Sequence, residues 1–394
     1  MPDLALTFDD ELHHTLRENA AEGPTAVDGV TGATIVFRYD DIDRLTRDHR
    51  LAGVGLSFFD LMGIDDGPLR DWYGGLMFTN EGDAHNRLRM LVSRAFTPRS
   101  VERLRLDAGA LVAEAMASLE ADGGGDLVSL FGRVPIRVMC RLLGVPESDV
   151  PVFSGWADDL SPVFTFMDDE QVADATTAII EMLGYVRDLA DRRCTDPGDD
   201  LITSLLAAEE DGERLTPGEL EAMVANLIVG GHDTTASQLG CTLLTLLRHP
   251  DEADRVRAAP ELAASAAAES IRFEPSIYGI PRTVIEAIDV AGTELPPGSP
   301  MILSTAAANR QPDVWREPDT FDVTRFIDPN APKLLSFGAG AHYCLGAALA
   351  RMTVEEAVRG FTSGPTLEHA DDPWQVEWRS VLGRSPTSIP VEVT

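Results

Sequence analysis

Residues 337–346 read FGAGAHYCLG and directly precede an amphipathic stretch that predicts a helix. Cys344 therefore lies at the start of that helix, where free backbone N–H groups and the helix dipole favour a thiolate. Gly338 and Gly340 allow a tight turn against a flat ligand, and Gly346 allows the helix to approach closely. An uncrowded thiolate of this kind is a good axial ligand for haem iron.

Three other interpretations of this stretch are weaker. A cysteine at a helix start is usually only a small buried residue. Gly338 and Gly340 match half of a dinucleotide-binding loop, but Tyr343 stands where the third glycine belongs. His342 and Cys344 could be two zinc ligands, yet no second Cys/His pair lies at zinc-finger spacing. Haem ligation is the interpretation that uses the whole stretch.

A second candidate site lies in the longest predicted helix, which we place from Thr216 to about Arg248. Thr216-Pro217-Gly218-Glu219 has the composition of a capped helix start. Further along, Gly230-Gly231-His232-Asp233-Thr234-Thr235 interrupts the apolar pattern, and Thr234 can bond back to a carbonyl four residues earlier. A local bulge there would open space for O2 and a water. A packed helix crossing with small residues is the alternative, and the residues alone do not decide between the two.

Together these stretches resemble the cytochrome P450 superfamily. Residues 337–346 match its pattern F-G-x-G-x-H-x-C-x-G, and residues 230–235 match [AG]-G-x-[DE]-T-[TS]. The resemblance implies a mainly α fold with small β-sheets, in which a long central helix lies over haem b and a cysteine loop lies beneath it. It also implies one haem-thiolate monooxygenase domain over residues 1–394.

The resemblance assigns roles to individual residues. Cys344 would bind the iron, Asp233 would deliver protons through water, and Thr234 would assist O2 activation. The haem itself would be bound by His85, Arg89, Arg282, Phe337 and His342. An ion network that holds the cysteine loop would comprise Glu269, Arg272 and Arg325.

The spacing within these sets is compatible with shared helix faces. Glu269 and Arg272 lie three apart, and His85 and Arg89 lie four apart, so each pair lies on one side of a helix. Taken singly, each would be an ordinary surface residue, and an exposed Glu–Arg pair would contribute about 0–1 kcal/mol. Their joint occurrence in order along the chain supports the resemblance.

The composition excludes some partners. With 65 acidic and 32 basic residues, the formal net charge is −33, which disfavours nucleic acid and anionic lipid. The four cysteines form no C-x-x-C pair, the first residues do not resemble a signal peptide, and no apolar run is long enough for a membrane helix. We therefore expect a cytoplasmic protein, and we expect a monomer.

The segments expected to line the substrate cavity are mostly apolar. The candidate pocket residues are Phe78, Phe164, Ile228, Val229, Ile277 and Ile280. About half of the apolar side chains in these segments could equally belong to the core. An apolar cavity with few charges favours a small lipophilic substrate.

No flavin or iron–sulfur motif follows the cysteine loop, so we expect electrons from separate proteins. By family analogy these are a ferredoxin and its reductase, with NAD(P)H as the indirect donor. A basic docking patch near the cysteine side is predicted to comprise Arg94, Arg99, Arg351 and Arg359.

The main functional hypothesis is an O2-dependent hydroxylase or epoxidase. A haem-thiolate enzyme for oxidative coupling or peroxide-driven oxidation is one alternative. A non-catalytic haem-thiolate sensor is another, although a sensor has no need of the proton-delivering pair Asp233 and Thr234.

Periodicity and breakers predict the secondary structure. We predict a strand at 34–39 followed by a helical stretch through residue 47, a long loop over 51–80, a small sheet within 281–306 and irregular chain over 309–343. Helices are predicted at 82–96, 99–120, 126–143, 170–193, 199–208, 216–248, 261–273 and 345–360.

Overall fold

The computed structural model describes residues 3–4, 8–209, 212–380 and 383–394. Helices predominate in these residues, and the expectation of a mainly α fold with small β-sheets is confirmed. The helices are α1 Leu12–Glu22, α2 Tyr39–Leu45, α3 Ser57–Leu61, α4 Pro68–Gly74, α5 Gly82–Ala95, α6 Pro98–Glu102, α7 Arg105–Asp122, α8 Leu127–Phe131, α9 Val134–Leu143, α10 Val150–Leu160, α11 Asp169–Thr195, α12 Leu201–Ala207, α13 Pro217–Arg248, α14 Pro250–Ala258, α15 Ala263–Phe273, α16 Thr305–Ala308 and α17 Ala347–Ser363.

The strands are short and form small sheets. They are β1 Asp3–Leu4, β2 Thr25–Asp28, β3 Thr34–Val36, β4 Leu51–Ala52, β5 Gly124–Asp126, β6 Ile280–Val284, β7 Ile288–Val290, β8 Thr293–Leu295, β9 Pro300–Leu303, β10 Leu367–His369, β11 Trp378–Ser380, β12 Arg384–Pro386 and β13 Pro390–Val393. One sheet has the order β1-β2-β3-β9-β6-β4, and a second has the order β10-β13-β5. Strands β7 and β8, and likewise β11 and β12, form antiparallel pairs.

The central helix α13 crosses the core. It begins with the capping box predicted from sequence, in which Thr216 and Glu219 each bond the other's backbone N–H. Most of its side chains are buried, because a helix that is apolar on most sides must pack against neighbours all round. It contacts α9, α11, α15 and α17, so residues on it face several other elements.

Two adjacent glycines give α13 different surroundings on its two sides. A Cβ at Gly231 would lie 2.6 Å from Met139 Cε, so the end of the Met139 side chain on α9 packs directly on this glycine. A Cβ at Gly230 would have no neighbour within 4 Å. The helix stays α-helical through this stretch. Open space therefore lies beside Gly230 without the bulge, which was one of the two alternatives.

Several predictions for short elements were wrong. The stretch 51–80 is not a long loop, because it contains β4, α3 and α4. Helix α14 was not predicted; Pro250 occupies its first turn, where a missing N–H costs nothing. Helix α10 and the C-terminal strands were also not predicted.

The described part of the chain contains no helix that is both long enough and apolar enough to cross a bilayer.

Candidate active site

The cysteine loop is a tight turn held by its own backbone. Gly338 and Gly340 have φ values of 69° and 70°, a region that disfavours side chains. The Cys344 N–H donates to the Phe337 carbonyl at 2.9 Å. A Cβ at Gly340 would lie 2.9 Å from the Thr46 carbonyl oxygen, so the loop packs directly on the chain after α2. Cys344 therefore has a fixed position just before α17.

The Cys344 thiol is accessible at the end of the cysteine loop. Its surface is accessible, yet burial among protein atoms raises the pKa of the thiol above its ordinary value. Backbone N–H groups of Gly346 and Ala347 and the charge of Arg89 oppose that rise. The sulfur is thus accessible and flanked by backbone N–H groups and a guanidinium. A sulfur so placed can meet a flat ligand.

Two histidines lie together beside the loop. The rings of His85 on α5 and His342 are 4.3 Å apart between centroids. His342 Nε2 lies 2.8 Å from Glu81 Oε2. His85 Nε2 is buried and has no hydrogen-bond partner, and burial followed by the neighbouring His342 lowers the pKa of His85. A buried ring nitrogen without a partner indicates that a polar group is still to be supplied.

Two arginines near the loop also lack an anion. Arg89 donates to the Tyr343 carbonyl at 2.6 Å, and Arg282 on β6 donates to the Pro281 carbonyl at 2.9 Å. Burial lowers the pKa of both guanidinium groups. Neither Arg89 nor Arg282 forms an ion pair with a carboxylate of the described residues. Half-buried cations without an ion-pair partner fit an anionic ligand, so this cluster suits a dianionic group such as the two propionates of haem.

Other predicted haem contacts lie on the loop itself. The Arg351 guanidinium lies 4.7 Å from the centroid of the Phe337 ring. Ile280 Cδ1 would lie 3.2 Å from a Cβ at Gly338. Phe337 and Ile280 thus lie at the cysteine loop, one within it and one against it.

On α13 the predicted acid and hydroxyl have separate partners. Thr234 Oγ1 donates to the Gly230 carbonyl at 2.7 Å. Asp233 Oδ1 lies 3.5 Å from Arg379 Nη2, and the Asp233 side chain is only 13% exposed. Sequence reasoning missed Arg379, because the β11–β12 hairpin that carries it is too short to give a periodic signal.

The structure brings the three residues of the predicted ion network together. Arg272 and Glu269 are 0% exposed and form a forked pair, with Nε–Oε2 at 2.7 Å and Nη2–Oε1 at 2.8 Å. Arg325 Nε lies 3.0 Å from both Glu269 oxygens. Arg272 also donates to three backbone carbonyls of the irregular segment, those of Asn309, Pro318 and Thr320. The Arg272–Glu269 pair thus holds in place the irregular segment that precedes the cysteine loop.

Asn309 connects this network to the loop and was missed from sequence. Its Oδ1 accepts from the Leu335 N–H at 3.2 Å, and its Nδ2 donates to Ser336 Oγ at 2.7 Å. Ser336 Oγ in turn donates to the Ile271 carbonyl at 3.1 Å. A single asparagine in irregular chain carries no motif, so only the structure reveals the link.

The candidate pocket residues divide into two groups. Phe78 and Phe164 are partly buried, with ring centroids 6.0 Å apart, and join the end of the 51–80 stretch to the segment after α10. Ile277 is also partly exposed, whereas Ile228 and Val229 are fully buried. Tyr278, the residue after Ile277, packs on Phe8. The better candidates for lining the substrate cavity are therefore the residues that are not fully buried, namely Phe78, Phe164, Ile277 and Ile280.

The predicted basic patch is partly neutralised. Arg359 pairs with Glu355 at 2.7 Å, and Arg94 donates to the Glu209 carbonyl at 3.0 Å. Arg351 lies against the cysteine loop through Phe337. Arg351 is thus the member of the patch with the clearest position on the cysteine side.

Comparison with known proteins gives consistent matches. The profile of the family described as Cytochrome P450 matches residues 168–264 and 260–359. Cytochrome P450 107B1 from Saccharopolyspora erythraea is 34% identical over 409 residues, covering 99% of this chain and 98% of that protein. The 6-deoxyerythronolide B hydroxylase from the same organism is 33% identical, covering 96% and 94%. The crystal structure of CalO2 matches with a TM-score of 0.91 at 28% identity, covering 99% of both chains.

Proposed function

This chain belongs to the cytochrome P450 family, and from that premise we propose how its own residues carry out the monooxygenase reaction. It is a cytochrome P450 monooxygenase that uses haem b and O2. When bound, the haem activates O2 so that one oxygen atom enters the substrate and the other leaves as water. The residues proposed for each task follow from the site geometry.

Cys344 is the proposed iron ligand, and the basic cluster is the proposed propionate site. His85, Arg89 and Arg282 are buried or half-buried and lack an anionic partner in the described residues. His342 would complete the propionate site, and Phe337 would contact the porphyrin. The carrying observation is that, within the described residues, His85 Nε2 has no hydrogen-bond partner and Arg89 and Arg282 form no ion pair with a carboxylate.

Asp233 and Thr234 are the proposed route for protons. Thr234 lies where the missing side chain of Gly230 leaves space beside α13, and its hydroxyl is held by the Gly230 carbonyl. The carboxylate of the adjacent Asp233 is the proposed relay that passes protons from water to this space. An acid beside a hydroxyl supports two successive proton deliveries during O2 cleavage.

A small apolar organic molecule is the proposed substrate. Phe78, Phe164, Ile277 and Ile280 give the candidate cavity wall an aromatic and aliphatic character, which suits hydroxylation or epoxidation of a lipophilic compound. Names of relatives such as 6-deoxyerythronolide B hydroxylase and Vitamin D(3) 25-hydroxylase specify different compounds. The residues that line the cavity of this chain, and not its family membership, therefore determine which compound is oxidised.

Separate redox proteins are the proposed electron source. A ferredoxin and its reductase would pass electrons from NAD(P)H to the cysteine side, where Arg351 offers a positive charge next to Phe337. Ferredoxin docking by charge weakens as salt rises. We further propose that residues 1–394 act as one domain and as a monomer.

Isotope labelling tests the proposed reaction. Compounds are first selected by the change in spin state that they cause in the ferric protein. Each is then incubated with ferredoxin, reductase, NAD(P)H and ¹⁸O2, and we expect one labelled oxygen atom in the product. Binding without product under these conditions would support the sensor alternative. Product from peroxide alone, undiminished in Thr234→Ala, would support the peroxide-driven alternative.

A further inference from the structure

One face of α13 carries polar side chains within an apolar interface. Thr234, Gln238 and Thr242 are spaced four residues apart and therefore lie along one side of the helix. They meet polar groups of α15 and of the irregular segment 274–279 that follows it. We call the set the polar seam; its members are Thr234, Gln238, Thr242, Ser270, Glu274 and Ser276.

Gln238 binds the backbone of the irregular segment. Its Oε1 accepts from the Ser276 N–H at 3.0 Å, and its Nε2 donates to the Glu274 carbonyl at 3.1 Å. Pro275 between them has no N–H. Buried backbone groups outside helices and strands need such partners, and the Gln238 amide supplies one acceptor and one donor. The segment is thereby fixed to α13 one turn beyond Thr234.

Ser276 connects the same segment to Thr234 itself. Its hydroxyl donates to the Thr234 carbonyl at 3.3 Å, and its own carbonyl accepts from the Arg384 N–H at 2.7 Å. Both Gln238 and Ser276 are buried. The next residue is Ile277, a candidate wall of the substrate cavity. Gln238 and Ser276 therefore define the distance between that wall and Thr234.

The hydroxyls at the far end of the polar seam do not reach the Ile277 wall. Thr242 Oγ1 and Ser270 Oγ are 2.9 Å apart, and both residues are buried. Within the described part of the chain neither hydroxyl bonds to residues 274–279; the Ser270 carbonyl accepts from the Glu274 N–H as the end of α15, and Thr242 Oγ1 lies 3.4 Å from Gln238 Nε2. A purely structural function of the seam, such as setting the register between α13 and α15, would involve both ends equally. The two ends of the polar seam thus offer a matched comparison.

We propose that Gln238 and Ser276 are positioning residues that determine how efficiently electrons are converted to product. This rests on the role proposed above for Thr234. In a coupled turnover, NAD(P)H and the substrate each supply two electrons, and O2 ends as one hydroxyl group and one water. In an uncoupled turnover, NAD(P)H alone supplies two electrons, and O2 leaves with two protons as hydrogen peroxide. A displaced Thr234 or Ile277 wall favours the second outcome.

The test compares Gln238→Leu and Ser276→Ala with Thr242→Val. Each variant replaces a polar group of the seam by an apolar one of similar or smaller size. Product, hydrogen peroxide and NAD(P)H consumption are measured with ferredoxin and reductase, and the ferrous–carbonyl spectrum and melting temperature serve as checks on folding. We expect the product formed per NAD(P)H to fall roughly threefold to tenfold in the first two variants. Thr242→Val should keep the wild-type ratio even if its melting temperature falls.

The outcomes separate the possible failures. If Gln238→Leu does not fold, Ser276→Ala decides the matter, since it removes a single hydroxyl. Equal product per NAD(P)H in Ser276→Ala and wild type, or an equal loss in Thr242→Val, would overturn the positioning role. A wild-type protein that forms no product with any spin-shifting compound would instead overturn the proposed function.

Discussion

The basic side chains around Cys344 are individually costly to remove from water. His85, Arg89 and Arg282 lose hydration on folding, and burial lowers the pKa of each. Among the described residues, the arginines donate to carbonyl oxygens and His85 contacts the tilted ring of His342, but none of the three bonds to a carboxylate. Charged hydrogen bonds to an entering anion would recover that cost. The site is therefore arranged for its ligand rather than for the stability of the empty chain.

Removing one of these cations should weaken haem retention. In Arg282→Leu we expect haem to transfer to an acceptor apoprotein about tenfold faster, because a charged hydrogen bond contributes about 1.5–3 kcal/mol. Arg17→Leu is the control, since Arg17 forms an exposed pair with Asp319. Equal transfer rates in the two variants would contradict the assignment of Arg282 to a propionate.

Replacement of the proposed acid should slow proton delivery without affecting substrate binding. In Asp233→Asn we expect kcat to fall by about 10²-fold, which is the low end for loss of a positioned acid. The substrate-induced spin shift should keep its midpoint, and the solvent deuterium isotope effect on kcat should rise. An unchanged kcat would show that protons reach the site by a path that does not include Asp233.

Among the individual elements, the ion network is the connection most sensitive to a single change. Arg272 serves one carboxylate and three backbone carbonyls from a fully buried position. Removing one partner of a buried pair leaves an uncompensated charge and costs about 3–5 kcal/mol. Through Asn309 and Ser336 the effect reaches the cysteine loop.

Arg272→Ala should therefore yield protein that does not incorporate haem. Arg255→Ala is the matched control, because Arg255 also pairs with a glutamate three residues away, Glu252, but at the surface, where the cost is about 0–1 kcal/mol. The haem content of the purified proteins, measured as absorbance per polypeptide, is the readout. Normal haem content in Arg272→Ala would show that the network does not hold the loop.

Helices and strands that are stabilised by neighbouring residues can be predicted from sequence, whereas those stabilised by contacts with distant residues cannot. Helix α13 was predicted because it is long and has a capping box, which are local signals. Helix α4 was missed because it has only seven residues and depends on burying Leu69, Trp72 and Tyr73 against the rest of the fold. Strand β13 pairs with β5, more than 260 residues earlier, and no local pattern reveals such a partner.

The same distinction holds for the site. Cys344, Asp233 and Thr234 lie in motifs that can be recognised along the chain. Arg379 and Asn309 act through contacts between distant segments, so their positions depend on the whole fold.

For the molecule as a whole, a buried charge cluster joins the N-terminal segment to the core. His13 on α1 lies 2.9 Å from Glu274, and Arg384 pairs with the same carboxylate. Burial, and next the charge of Arg310, lowers the pKa of His13 below its ordinary value of 6.5. Its Nδ1 is buried without a partner, so the neutral ring with Nε2–H donating to Glu274 fits the site.

This cluster should make the fold sensitive to acid. With a folded-state pKa below the unfolded one, the unfolded chain binds the additional proton, so stability falls as pH decreases from about 6.5, by up to about 1.4 kcal/mol per pH unit. In His13→Gln, which keeps a donor but cannot titrate, the free energy of unfolding should depend less on pH between 6.5 and 5. Denaturant unfolding followed by circular dichroism measures the free energy of unfolding of the wild type and of His13→Gln at each pH. Parallel pH profiles for the two proteins would show that His13 is not the source of the acid sensitivity.

The central claim is that Cys344 binds the haem iron as a thiolate within this fold. Its most direct test is the ferrous–carbonyl spectrum of the haem-loaded protein and of Cys344→His. The account predicts the strongly red-shifted Soret band of thiolate ligation in the wild type and its loss in the variant. A wild-type spectrum like that of a histidine-ligated globin, or one that Cys344→His leaves unchanged, would contradict the claim.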